Sequence, residues 1–273
     1  MHERHSNASW RLRCNREASG PHHGCRAAER LKYGMPNILA IETSSELASC
    51  ALLAGDNVFV RASSGVRTHS QSVLPMVQEL LQEAGLALAQ LDAVAFGAGP
   101  GSFTGVRTAC GVAQGLAYGA GLPVLPMVTL EAMAEACRAR TGAHDVLAVL
   151  DARMGEVYWA QYRFEDGAWR EAAAPALCAP QDVAPLAAAG LQACGNGFSA
   201  YPDAFAGQPY AAGALADIVP HAQELAVLGA AALASGQGVP AAQAQPIYLR
   251  NKVAYTSAER QAINAAKNAE SDR

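Results

Sequence analysis

Charge is scarce in this sequence. Asp, Glu, Lys and Arg make up 16% of its 273 residues and aromatic residues 6%, while 51% are hydrophobic, a balance that suits burial of a sizeable core in one large or two small domains. Long apolar runs are missing too. The longest are broken by Gly and Pro, as between Gly119 and Pro126, so no segment offers the roughly 18 continuous apolar residues of a membrane span. Cysteine is present but unpatterned. The seven, at 14, 25, 50, 110, 137, 178 and 194, form no CxxC pair and leave an odd one over, which argues for reduced thiols in a cytoplasmic protein rather than a disulfide framework or a zinc knuckle.

The usual signatures of catalysis are also absent. Only His69, His144 and His221 follow Met35, too far apart for an HxxxH or HxxH pair, so no sequence-local metal site exists. No Gly-Lys-Ser/Thr closes a glycine-rich loop, which excludes a Walker loop, and Ser44, Ser45 and Ser102 lack a Gly-x-Ser-x-Gly elbow. Residues 35 to 273 hold 13 Lys and Arg against 21 Asp and Glu, a net charge of −8, with no basic stripe. Such a chain is a poor polyanion binder, and any RNA is expected to be held by a partner.

The first 34 residues differ from the rest, with seven Lys and Arg, four His and little apolar periodicity before Leu31. An apolar strand pattern begins at once after Met35, which is therefore read as the true start, with the upstream residues a disordered extension from a start-site artefact. Glu3, Glu17, Glu29 and the Gly20 to Gly24 cluster weigh against the rival reading, an Arg-rich transit segment.

Strand patterns at 37 to 41, 48 to 53 and 57 to 62, separated by polar turns, predict an antiparallel meander. Helical spacing of Val73, Leu74, Val77, Leu80, Leu81 and Ala84 predicts a helix over 70 to 84, with Ser70 as N-cap, Pro75 early in the helix and Gly85 closing it. A strand at 92 to 97, a Gly/Pro loop, a helix at 103 to 119, a strand at 123 to 128 and a helix at 129 to 139 follow. A hairpin at 145 to 150 and 156 to 164 opens a second lobe. Beyond it the text reads as a helix within 172 to 190, a short strand before Gly195, a helix at 221 to 234 and a polar end that frays after about 252. Strands alternating with helices imply mixed sheets flanked by helices.

Three features invite a functional reading. The loop Gly97 to Gly105 opens a helix and has the form of an anion cradle, although spacing alone favours a tight strand-to-helix turn. In the helix that follows, small residues recur every fourth position, at 105, 109, 113 and 117 and again at Gly111, Gly115 and Gly119. Glycine weakens a helix by roughly 1 kcal/mol relative to Ala, so tight packing must offset it, either on the helix's own sheet or at a subunit seam. Asp151, Arg153 and Glu156 share one hairpin turn, which reads more simply as a solvated ion-pair turn than as an acid/base site.

Five ordered segments, Ile38-Leu-Ala-Ile-Glu-Thr-Ser-Ser45, Thr68-His-Ser70, Gly99-Pro-Gly-Ser-Phe-Thr-Gly-Val-Arg107, Asp151-Ala-Arg-Met-Gly-Glu-Val-Tyr158 and Pro246-Ile-Tyr-Leu-Arg250, resemble the TsaB (YeaZ) family over residues 36 to 252. The resemblance implies a two-lobed actin-like ATPase fold (ASKHA, ribonuclease H-like). Lobe 1 is expected over 35 to 140 plus about 221 to 236, lobe 2 over 141 to 220, and a C-terminal segment over 237 to 273.

It further implies a cytoplasmic, non-catalytic dimerisation subunit that binds and activates the catalytic paralogue TsaD in N6-threonylcarbamoyladenosine modification of tRNA. The ATPase TsaE is expected near the junction, a homodimer in isolation, tRNA contact only through the complex, and no cofactor or metal. TsaD's metal-binding histidines fall at Thr129 and Met133 here, and its phosphate turn at Asp151-Ala-Arg153. Thr43, Ser44, Asp151, Gly195 and Gly197 are then vestigial nucleotide positions. The implied partner face comprises Ser70, Leu74, Val77, Leu81, Thr104, Arg107, Thr108, Gly111, Gly115 and Tyr118, on an interface of about 800 Å² per partner. The alternative is a weak nucleotide hydrolase using Glu42, Thr43 and Asp151, or a peptidase-like enzyme.

Overall fold

The run Ile38–Glu42 is apolar at every position but the last, and the strand it forms (β1) is buried on both sides. Leu39 and Ile41 point to one face of the sheet and Ile38 and Ala40 to the other, as the two-residue period of a strand requires. In the computed structural model, which describes residues 35–63 and 69–250, β1 is the centre of a five-stranded mixed sheet. β2 (Ala48–Ala54) and β3 (Asn57–Ser63) follow as an antiparallel meander, and β4 (Ala93–Gly99) and β5 (Val124–Val128) add in parallel on the other side, giving the order β3-β2-β1-β4-β5.

Helices α1 (His69–Ala84) and α2 (Phe103–Ala120) cover one face of this sheet, seating Val73, Met76, Val77, Leu80, Ala109, Ala113 and Ala117 on Leu39, Ile41, Leu52 and Phe96. The other face is closed by a helix from much later in the chain, here α6 (Ala222–Ala234), through Ala222, Leu225 and Ala226. Gly229 belongs to that contact. A Cβ there would stand 3.2 Å from Ala95 Cβ and 3.3 Å from Ile38 Cγ2, so the absence of a side chain sets how closely α6 approaches.

The second sheet repeats the first in miniature. β6 (Asp145–Arg153), β7 (Glu156–Glu165) and β8 (Ala168–Cys178) form an antiparallel meander, and β9 (Gln192–Cys194) lies parallel to β6, in the order β8-β7-β6-β9. α3 (Thr129–Thr141) packs on one face, and the short α4 (Gly197–Ala200) and α5 (Pro202–Phe205) on the other. Two mixed sheets of one topology, each flanked by helices, are the two-lobed actin-like architecture. No helix among the described residues is long and apolar enough to cross a membrane.

Three local expectations need correction. Ser70 lies inside α1 rather than capping it, and Pro75 sits in the helix's second turn, beyond the first turn where its missing donor is harmless. The Ala/Pro-rich text after 168 is an edge strand and one 3₁₀ turn at Pro180–Asp182 instead of a helix. Pro175 is tolerated there because β8 is an edge with register irregularities against β7. Gly85, Gly121 and Gly142 all end helices in the left-handed region, with φ of 65°, 67° and 75°. Thr68, residues 1 to 34 and the end after 250 lie outside the described residues.

Candidate functional site

A cleft of about 570 Å³ opens between the two sheets, lined by Ser44, His69, Ser102, Asp151, Asn196 and Arg250 among others. It is built from the β1 turn, the Gly97 to Gly105 loop, the β6–β7 hairpin and the segment around Tyr248. The loop owes its glycines to the turn pressed into it. A Cβ on Gly101 would meet Ser44 Cβ at 2.6 Å, and one on Gly105 would stand 1.8 Å from the Thr43 carbonyl oxygen. Ser102 N donates to Ser44 O at 2.7 Å, Thr43 Oγ1 donates to Gly105 O at 2.7 Å, and Ser102 Oγ caps α2 by accepting from Gly105 N. Thr43 and Ser44 are therefore buried in a strand-to-helix joint. Beside them Glu42 is wholly buried, and desolvation pushes its carboxyl above the ordinary range against the hydrogen bond it accepts from Ser44 N.

Across the cleft, the Asp151 carboxylate is fully engaged. It accepts from Tyr201 Oη at 2.9 Å and Arg153 N at 2.8 Å and pairs with the Arg153 guanidinium at 3.2 Å, while Asp151 N donates to Asn196 Oδ1. Gly195 and Gly197 are required by close packing. A Cβ on Gly195 would lie 2.0 Å from Val149 O, and one on Gly197 would lie 2.6 Å from Val149 Cγ1. The hairpin tip carries two consecutive non-glycine residues in the left-handed region, Arg153 and Met154. It is held by Arg250, whose guanidinium donates to Ala152 O and Arg153 O and pairs with Glu156 at 2.5 Å, and by an ion pair from Arg153 to Glu46 of the first lobe. Tyr201, Asn196, Glu46 and Arg250 escaped sequence reasoning as site residues, since nothing local marks contacts spanning 45 to 107 positions.

The outer face of α1 and α2 is different in kind. The two small-residue series of α2 divide cleanly: Gly105, Ala109, Ala113 and Ala117 are buried on the helix's own sheet, while Gly111, Gly115 and Gly119 face out, with nothing among the described residues within 4 Å of a Cβ built on any of them. Thr104, Arg107 and Tyr118 share that outward stripe, Tyr118 at 83% exposure, and Thr108 flanks it half-buried. On α1, Ser70 and Leu74 are exposed, Leu74 at 47%, and Leu81 is half-buried. Val77 is 2% exposed and belongs to the core, so it offers no surface.

Comparison with known proteins accords with this architecture. The family described as "TsaD: tRNA N6-adenosine threonylcarbamoyltransferase" matches residues 60–270. The tRNA threonylcarbamoyladenosine biosynthesis protein TsaB of Escherichia coli (strain K12) is 40% identical over 222 residues, covering 80% of this chain and 96% of the relative. The chain belongs to the TsaB family. YeaZ from Pseudomonas aeruginosa superposes with a TM-score of 0.72 at 44% identity, over 79% of this chain and 100% of that one. A second solved structure, described as an uncharacterized protein with similarity to peptidase YEAZ from Pseudomonas aeruginosa, gives 0.74 at the same identity and coverage.

Thr129 and Met133 both lie in the core at zero exposure, and a Cβ on Gly195 would come within 2.7 Å of the Met133 methyl. Further along α3, Glu131 and Glu135 meet Glu171 of β8 and Glu224 of α6. Arg138 and Trp169 Nε1 are held by Glu135, at 3.2 and 2.9 Å, and Tyr162 Oη is buried nearby with no hydrogen-bond partner among the described residues. Burial, then the charges of Glu171 and Glu135, pushes Glu131 up to about 7, and burial with the charge of Glu135 does the same to Glu224.

A carboxyl raised in the folded state gives its full contribution below its unfolded value of 4.5 and loses it as pH rises through the folded value. Stability should therefore fall between about pH 4.5 and 7. His221, whose pKa burial lowers, pulls the other way as pH drops below 6.5. Urea denaturation at pH 4 and pH 8 isolates the carboxyl contribution: Glu131→Gln combined with Glu224→Gln should gain roughly 2 kcal/mol relative to the parent at pH 8 and little at pH 4, below the unfolded value, after discounting for partial solvent access. An equal gain at both pH values would refute the assignment.

Proposed function

We propose that this chain is a non-catalytic dimerisation subunit that binds and activates a TsaD-type catalytic partner in N6-threonylcarbamoyladenosine modification of tRNA, in the cytoplasm. The observation that carries the reading is the outward stripe of Gly111, Gly115 and Gly119, flanked by Leu74 and Tyr118, which lets another helix pair approach to backbone contact. The cleft supports it from the other side, since Asp151 is spent on Tyr201 and Arg153, and the glycine loop is filled by Thr43 and Ser44. The E. coli relative's name places that protein in the same modification pathway.

On this reading the two helices form a four-helix seam with their counterparts on the partner, the isolated chain self-pairs through the same face, and a TsaE-type ATPase docks near the junction. tRNA is held by the complex, because residues 35 to 273 are acidic overall. The deciding experiment co-expresses the chain with the TsaD of the same organism, measures complex mass by light scattering, and assays threonylcarbamoyl transfer with each subunit omitted. A heterodimer active only when both are present is the expected result. Turnover by this chain alone, or saturable nucleotide binding in its cleft, would sink the reading.

A further inference from the structure

On the outward stripe of α2 there is one charge. Arg107 is the only ionised residue of that helix, and it is exposed yet held in place. Its Cζ lies 3.6 Å from the Phe103 ring centroid, its Nε donates to Tyr248 Oη at 2.8 Å, and the Phe103 and Tyr248 rings stand 5.6 Å apart. The guanidinium is thereby fixed on an aromatic platform contributed by Phe103 and Tyr248, from two distant parts of the chain, and it makes no ion pair among the described residues. The acids of α1 are committed elsewhere: Glu79 and Glu83 hold Arg61 of β3 at 3.0 and 2.5 Å.

We propose that Arg107 is the specificity determinant of the α1–α2 face, a pre-positioned guanidinium that receives an Asp or Glu side chain from the facing helix of the partner, with Phe103 and Tyr248 as its positioning residues. This deepens the pairing reading above and rests on it. Docking a second helix pair on Gly111 and Gly115 brings Arg107 out of water, where an unmatched guanidinium is strongly unfavourable and a carboxylate in bidentate contact offsets its desolvation. The α1 and α2 helices of a second copy offer no unpaired carboxylate to it. α2 contains no acid and those of α1 are bound to Arg61, so a two-fold self-pair buries two unmatched cations. The same residue thus favours the acidic partner and disfavours the self-pair, which is how one surface distinguishes two occupants of similar shape. The firm seating by Phe103 and Tyr248 lowers the ordering entropy lost on contact.

The test uses the full chain and its TsaD-type partner, with affinity measured across a salt series and self-association of the chain alone measured by sedimentation. Arg107→Met should weaken heteromeric pairing about tenfold or more and flatten its salt dependence, Arg107→Lys should recover part of both, and Tyr248→Phe should give an intermediate loss with the salt slope retained. The same Arg107→Met should tighten the self-pair. Heteromeric affinity within twofold of the parent with an unchanged salt slope, or a self-pair that weakens, overturns the proposal, as does loss of tRNA binding with partner binding intact. Failure of the parent chain to pair at all would instead count against the pairing reading, and the self-association arm would still decide what Arg107 does.

Discussion

Replacing Gly111 and Gly115 together with leucine is expected to make the chain itself more stable while abolishing its pairing. Both glycines lie in the interior of α2, where glycine is less favourable than a good helix former by roughly 0.5–1 kcal/mol, and neither has an atom within 4 Å of an added Cβ. The isolated monomer should therefore melt about 2–8 °C higher. The same two side chains would hold an approaching helix off by the bulk of leucine and destroy backbone-level contact. Sedimentation and differential scanning calorimetry on the variant separate the two effects. A complex that survives the substitution locates the seam elsewhere, and a lowered melting temperature would mean that the stripe packs internally.

Gly105→Ala is expected to do the opposite, at a position only two turns away. There a Cβ would fall 1.8 Å from the Thr43 carbonyl oxygen and 2.9 Å from its carbonyl carbon, backbone atoms that cannot swing aside. Overpacking of this kind, combined with loss of the Thr43 Oγ1 to Gly105 O bond, should remove more than about 3 kcal/mol of stability. Urea denaturation would show it as a lower midpoint. A midpoint within experimental error of the parent would mean that the glycine loop has room to give, and with room to give it regains its claim as an anion cradle.

These three glycines mark how far the sequence could be read. Their recurrence every fourth residue was visible, and so was the choice between an inner and an outer use, but both series are made of small residues and hydrophobicity could not assign them to faces. The sheet made the assignment by burying Ala109, Ala113 and Ala117. The meander, the hairpin and the helix-ending Gly85 were legible because alternation and turn chemistry are local. The strand β8 was not: alanine has little preference for strand, and only an edge position explains Pro175 within it. Val77 fell on the expected helix but on its inner side. The elevated carboxyl of Glu224 had no sequence signal, since its burial depends on α6 meeting α3, some ninety residues earlier in the chain.

The late arrival of α6 bears on biosynthesis. All five strands of the first sheet precede Thr129, yet the helix that covers one of its faces begins at Ala222, after the whole second sheet has been made. A chain emerging from the ribosome in order must hold Ile38, Ala40, Leu53, Ala95 and Leu125 without their cover until nearly the entire fold has been synthesised. During that interval the nascent first lobe presents an apolar sheet face to solvent, an open target for holdase chaperones and for aggregation. The order of the genetic message thus sets a window of vulnerability that the finished molecule no longer displays.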